Sequence, residues 1–180
     1  LFELGAVVVN ADEVGHEALR PRSQVWGEVV GSFGREVLGP DEEIDRQKLG
    51  GIVFGDAQKL KKLNQIMHPG MYRVVERRIE DFRGQGADVI VLEAALLIEA
   101  NWIPLVNKIW VTTASEAAVQ ERLRKKGFSS DEALARIRSQ LSQKERTKWA
   151  DVIIDTGCSL SELRAREREL WNGLHREAGV

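Results

Sequence analysis

The sequence predicts an α/β fold in which a parallel sheet is covered by helices, and three observations carry that prediction. Four short β-branched runs, residues 6–9, 88–92, 108–112 and 151–154, hold continuously apolar rather than alternating stretches at 7–9, 89–92, 109–111 and 152–154, the pattern of strands buried on both faces. Segments with apolar residues at helical spacing lie between the later runs. The long stretch 17–86 holds no strand-like run and reads as a mainly helical insertion. Strand alternating with helix then implies right-handed crossovers.

The elements follow in order. Val7-Val8-Val9 forms the first strand. Within the insertion, Leu60, Leu63 and Ile66 mark a helix over 58–66, and Val74, Val75, Ile79 and Phe82 mark another over 71–82. His68-Pro69 falls between them as a stop and restart, since proline suits a first helical turn. Phe33 and Phe54 read as core of the insertion; Trp26, Trp102, Trp110, Trp149 and Trp171 read mostly as core or hinge packing. After the strands at 88–92 and 108–112, Ser115 with Ala118 offers N-cap chemistry for a helix over 115–126. A break at 127–130 separates it from a helix over 131–141, a helical hairpin. The strand at 151–154 precedes a closing helix over 161–174, with cap chemistry in Ser159-Leu160-Ser161-Glu162.

One hundred and eighty residues, 43% hydrophobic and 30% charged, suit one folded domain with its own core. A formal charge of −2 gives no electrostatic reason to expect nucleic acid. The single cysteine, Cys158, forms neither an internal disulfide nor a metal cage, which points to an intracellular chain. No basic residue or histidine stands beside it, so a structural thiol is expected. No apolar run approaches the ~20 residues of a membrane span. The chain opens Leu1-Phe2-Glu3-Leu4-Gly5, without methionine or a basic leader, and is expected to be a fragment cut inside an element.

Three groups carry chemistry. Asn10-Ala11-Asp12-Glu13-Val14-Gly15-His16 follows the first strand, where ligands of open α/β sheets bind. Asp12 is placed to meet a substrate hydroxyl there, or to N-cap the next helix. His16, read as lying in the first turn of that helix, packs, caps or contacts an anion. Glu93 ends the second run, where a nucleotide-binding α/β fold keeps the carboxylate that helps hold Mg²⁺ through water, or where a strand-end carboxylate pairs with a Lys or Arg. Glu99 stands nearby as a solvated loop residue. The third group is the basic hairpin of Arg122, Arg124, Lys125, Lys126, Arg136, Arg138, Lys144, Arg146 and Lys148. It is either a solvated face paired with Glu121, Asp131, Glu132 and Glu145 or a mobile lid over a triphosphate. Its place between the last two strands favours the lid.

The ordered set Asn10-Ala11-Asp12, Phe33-Gly34, Asp45-Arg46-Gln47-Lys48-Leu49, Val53-Phe54, His68-Pro69, Leu96-Leu97-Ile98-Glu99, Gln120-Glu121-Arg122-Leu123, Gln140 and Ala150-Asp151-Val152-Ile153-Ile154-Asp155 resembles the dephospho-coenzyme A kinase family over nearly the whole chain. The variant Asn-Ala-Asp-Glu-Val-Gly-His with Glu-Ala-Ala-Leu-Leu-Ile-Glu-Ala-Asn-Trp is similar to the kinase domain of the eukaryotic bifunctional coenzyme A synthase and to a set of bacterial enzymes. The resemblance implies a P-loop kinase fold spanning residues 1–180: a core of 1–16, 87–121 and 149–180, a helical acceptor-binding insertion over 17–86 and a lid over 122–148. It implies ATP-dependent phosphorylation of the ribose 3′-hydroxyl of dephospho-coenzyme A, the last step of coenzyme A biosynthesis. Asp12 matches the family's base. Arg122, Lys126 and Arg146 match basic lid positions that meet the nucleotide. Phe54, His68, Pro69, Leu97 and Glu99 fall where the acceptor binds, with His16 in place of an arginine. ATP, dephospho-coenzyme A and Mg²⁺, the last near Glu93, are the implied ligands. A cytoplasmic monomer or weak oligomer is expected, with no nucleic acid or membrane as partner.

The departures are specific. Asn10 replaces the first acid of the usual triplet, Ala95 replaces a proline, and Lys125-Lys126-Gly127 replaces an Arg-Asp-Gly, giving point charges where a bidentate fork is usual. No Gly-Lys-Ser/Thr occurs anywhere in the chain, and Gly31-Ser32-Phe33-Gly34, Gly50-Gly51 and Gly84-Gln85-Gly86 lack the lysine and setting of a phosphate cradle. The first strand and the cradle are expected before Leu1, so the 180 residues alone are expected to leave a gap in the sheet and to show no turnover. Two rival readings are a non-catalytic coenzyme A-binding remnant and a kinase for another nucleotide acceptor. Retention of Asp12 and the basic hairpin speaks against the remnant.

Overall fold

The computed structural model describes residues 1–178, and the chain divides into two compact units. One comprises Val8–Trp102; the other joins Leu1–Val7 to the chain from Ile103 onward. The strands form two two-stranded sheets.

In the Val8–Trp102 unit, β1 (Val7–Asn10) pairs with β2 (Ile90–Glu93). Four helices lie between them: α1 (Ala11–Ala18), α2 (Gln24–Phe33), α3 (Arg46–Val53) and α4 (Ala57–Gly84). Each start is written in the sequence as a side-chain cap. Asn10, Ser23, Asp45 and Asp56 each accept hydrogen bonds from the first orphan N–H groups of their helix. The core of the insertion gathers Val29, Phe33, Val37, Leu49 and Val53, closed by a single antiparallel bridge between Leu38 and Ile44.

The expected stop and restart at His68-Pro69 does not occur: α4 is one helix of 28 residues with Pro69 inside it. A proline there removes an N–H and costs about 3 kcal/mol in an isolated helix. Packing on both sides of it offsets that cost. Gly70 admits Val25 of α2 so closely that a Cβ would lie 2.8 Å from its Cγ2, and Gly15 of α1 faces Met71 of α4. Helices α1, α2 and α3 all pack on α4.

The other unit opens with a 3₁₀ turn at Phe2–Leu4 and continues with β3 (Trp110–Thr113), α5 (Glu116–Lys125), α6 (Ser130–Arg138), α7 (Gln143–Arg146), β4 (Val152–Asp155) and α8 (Leu160–Ala178). Strands β3 and β4 are parallel, in register from Trp110↔Val152 to Thr113↔Asp155. Ser115 caps α5 through the Ala118 N–H. Reciprocal capping boxes open α6 (Ser129 with Glu132) and α7 (Ser142 with Glu145). The same exchange joins Ser159 to Glu162 ahead of α8.

Three packing expectations change. Phe54 is 40% exposed rather than core: it is the C-cap residue of α3, and its ring lies back over Gly50 on the surface of that helix. Trp149 is 52% exposed, whereas Trp102 is buried as expected. Cys158 is exposed, its thiol donating to the Asp155 carbonyl, and so is no core residue. Among the described residues no helix is long and apolar enough to cross a membrane.

Candidate active site

Asp12 is not the cap of its helix. Asn10, the last residue of β1, takes that role: its Oδ1 accepts from the N–H of Asp12 (2.8 Å) and of Glu13 (3.3 Å). Asp12 therefore occupies the second helical position, just beyond the carboxyl end of β1, with its carboxylate exposed. Its charge is felt by Arg46, the first residue of α3: burial lowers the Arg46 pKa and the Asp12 carboxylate raises it. Arg46 was not singled out from the sequence; the signal was Asp45, whose capping of α3 fixes where that helix, and so Arg46, begins. His16 lies in the last turn of α1, not the first, because the helix already begins at Ala11. It is exposed and cannot serve the N-terminus of that helix.

A second group centres on Trp102. The His68 ring meets the indole edge-on, and the Trp102 backbone N–H donates to the Leu97 carbonyl at 2.9 Å. Glu99 is half-buried rather than solvated, and its charge acts on His68. Burial lowers the His68 pKa below 6.5, and Glu99 opposes that shift. His68, Leu97 and Glu99 are thus brought together. Pro69 is the next residue of α4 and is exposed; Phe54 stands at the end of α3. Glu93 closes β2 with an exposed side chain. Among the described residues no group of three or more His, Cys, Asp or Glu could hold a metal, so Glu93 offers one carboxylate rather than a cage.

The basic residues belong to the other unit and are not uniformly solvated. Both outer nitrogens of Arg122 are bound to Thr156, Nη1 to its hydroxyl at 3.0 Å and Nη2 to its carbonyl at 2.6 Å. Lys126 is the exposed C-cap of α5, its N–H donating to the Arg122 carbonyl. Arg146 is half-buried and ends α7. Its Nε is inaccessible and has no hydrogen-bond partner among the described residues. Gln143, at the start of α7, accepts from the Ala114 N–H at 3.4 Å, which holds that turn at the carboxyl end of β3. Elsewhere in the hairpin Lys125 pairs with Glu121 at 3.4 Å, and Arg136 lies over the Phe128 ring, 4.2 Å from its centre. The carboxyl ends of β3 and β4 are therefore the place where two of the three nucleotide candidates gather.

Comparison with known proteins agrees on one family. The family profile described as dephospho-CoA kinase matches residues 1–162. A dephospho-CoA kinase of Dehalococcoides mccartyi is 37% identical over 166 residues, covering 92% of this chain and 83% of the relative. That of Carboxydothermus hydrogenoformans is 42% identical over 165 residues, 91% of this chain and 80% of the relative. Among solved structures, a dephospho-CoA kinase from Campylobacter jejuni superimposes with a TM-score of 0.68 at 22% identity, covering 98% of this chain and 89% of its own. A Thermus thermophilus protein superimposes with a TM-score of 0.72 at 26% identity, covering 96% and 87%.

Proposed function

This chain belongs to the dephospho-CoA kinase family, and from that premise we propose that Asp12 is the base of an ATP-dependent phosphoryl transfer to the ribose 3′-hydroxyl of dephospho-CoA. The protein is a kinase, and its reaction is the final step of coenzyme A biosynthesis. The 3′-oxygen attacks the γ-phosphorus of ATP, its proton passes to the Asp12 carboxylate, the bond to the bridging oxygen breaks, and ADP leaves. Such a transfer needs chiefly positioning and charge neutralisation.

The observation that carries this reading is the exposed Asp12 carboxylate just past β1, with its own N–H pinned by Asn10. Phe54, His68 and Pro69 of the helical insertion of residues 17–86, with His16, Leu97 and Glu99 of the core segments 1–16 and 87–121, form the acceptor side. Arg122, Lys126 and Arg146 meet the nucleotide from the basic segment 122–148, which acts as the lid of a single kinase domain. Mg²⁺ fits a site with one protein carboxylate, because that ion keeps several waters and takes phosphate oxygens. Glu93 would hold it through water, and the ion would supply charge neutralisation at the phosphates. The enzyme works in the cytoplasm, which the single cysteine supports, and without nucleic acid, which the charge of −2 supports; it acts as a monomer or weak oligomer with no membrane partner.

The test is Asp12→Asn in the full-length enzyme. The expected result is a fall in kcat of about 10²–10⁴-fold, the usual worth of a positioned base, with calorimetric affinity for dephospho-CoA retained. Turnover within about twofold of the parent removes Asp12 from the base role.

A further inference from the structure

Thr156 lies one residue beyond β4, and four hydrogen bonds fix the direction in which it works. Its N–H donates to the Thr113 carbonyl at 2.8 Å, extending the β3–β4 ladder past the last paired residues. Its hydroxyl spends its one proton on the same carbonyl, at 2.9 Å. The hydroxyl oxygen is then left as an acceptor, and Arg122 Nη1 fills it at 3.0 Å while Nη2 takes the Thr156 carbonyl at 2.6 Å. The relay runs from Arg122 through Thr156 to Thr113, and the guanidinium fork grips two oxygens of one residue.

Arg122 is nonetheless an exposed side chain. An exposed arginine normally samples many rotamers, and fixing one when a ligand binds costs conformational entropy. Here that ordering is done before the ligand arrives. Arg122 is the first residue of the lid segment 122–148, and the bidentate hold ties that end of the segment to the sheet. We propose that Thr156 is a positioning residue for the kinase reaction: it immobilises Arg122 at the carboxyl edge of β3 and β4 so that the guanidinium is preorganised for ATP. The proposal rests on the nucleotide role given to Arg122 above. It predicts that Thr156 acts on nucleotide binding alone, and only through Arg122.

The experiment measures KM for ATP, KM for dephospho-CoA and kcat in the full-length enzyme carrying Thr156→Val, Thr156→Ser, Arg122→Ala, and Arg122→Ala with Thr156→Val. Valine keeps the branched shape and loses the hydroxyl; serine keeps the hydroxyl. Thr156→Val is expected to raise KM for ATP roughly fivefold to tenfold, in line with having to order one long side chain on binding. KM for dephospho-CoA and kcat should move less than about twofold, and Thr156→Ser should restore KM for ATP. In the Arg122→Ala background the valine change should add nothing, the signature of a coupled pair. An unchanged KM for ATP in Thr156→Val, or an equal rise with and without Arg122, overturns the proposal. A loss that falls on kcat and thermal stability together, unrescued by serine, overturns it as well. If Arg122→Ala itself leaves KM for ATP unmoved, the nucleotide role of Arg122 falls first, and that failure is distinct. Should valine prevent folding, Thr156→Ala with serine rescue reads the same quantity.

Discussion

The imidazole of His68 meets the indole of Trp102 edge-on, with ring centroids 6.2 Å apart and planes inclined at 68°. The contact keeps the ring partly out of water, and burial lowers its pKa from 6.5, with Glu99 pulling the other way. The folded protein therefore resists a proton that the unfolded chain accepts, and stability falls as pH drops through and below the imidazole range. His68→Asn removes that titration. The expected result is a shallower loss of Tm between about pH 7.5 and about pH 5.5; parallel curves for parent and variant exclude His68 as the cause.

Asn10 joins strand to helix, and its carbonyl oxygen alone does the capping. Asn10→Ala should cost about 0.5–2 kcal/mol and loosen Asp12, whereas Asn10→Asp, which caps equally well, should stay within a few tenths of a kcal/mol of the parent. Thermal unfolding compares the two. Equal destabilisation by alanine and aspartate shows that the cap is not what holds the first turn of α1.

Gly70 of α4 packs directly against Val25 of α2. A methyl group there would stand 2.8 Å from Val25 Cγ2, and a branched side chain packed between helices gives way only by shifting its backbone. Gly70→Ala should destabilise by about 1–3 kcal/mol through overpacking, despite alanine's better helix propensity. Pairing it with Val25→Ala should return part of the loss, and a double-mutant cycle on urea midpoints reads the coupling.

Gly34 ends α2 at φ 84° and ψ 170°, a conformation essentially closed to other residues. A Cβ there would also collide with the Glu36 carboxylate, which can swing away. The backbone term remains, so Gly34→Ala should cost about 1–3 kcal/mol, and adding Glu36→Ala should not restore it. Full rescue by the second change would assign the cost to the side chain instead.

Much of this was legible in the sequence because the signals were local. Continuous apolar runs fall on all four strands, displaced by one or two residues toward the carboxyl end, since ladder bonds rather than apolarity set the observed bounds. Ser115 and the Ser159–Glu162 exchange were readable because a cap acts over three residues. Non-local facts were not. Pro69 reads as a helix break by propensity, and only the packing of α1 and α2 against α4 reverses it. Asp12 looked like a cap because it, too, is a capping residue type; Asn10 wins by standing at the strand end. Thr156 carries no motif, and its hold on Arg122 spans 34 positions of chain, beyond the reach of any spacing argument.

The unbroken course of α4 through Pro69 has a mechanical corollary. At 1.5 Å per residue its 28 residues make a rod of about 42 Å. Glu17 of α1 is braced to it at Arg78 by a 2.6 Å ion pair, and His68 grows from its middle. Helix α1, which carries Asp12, is thus packed and braced on the same beam that carries the imidazole.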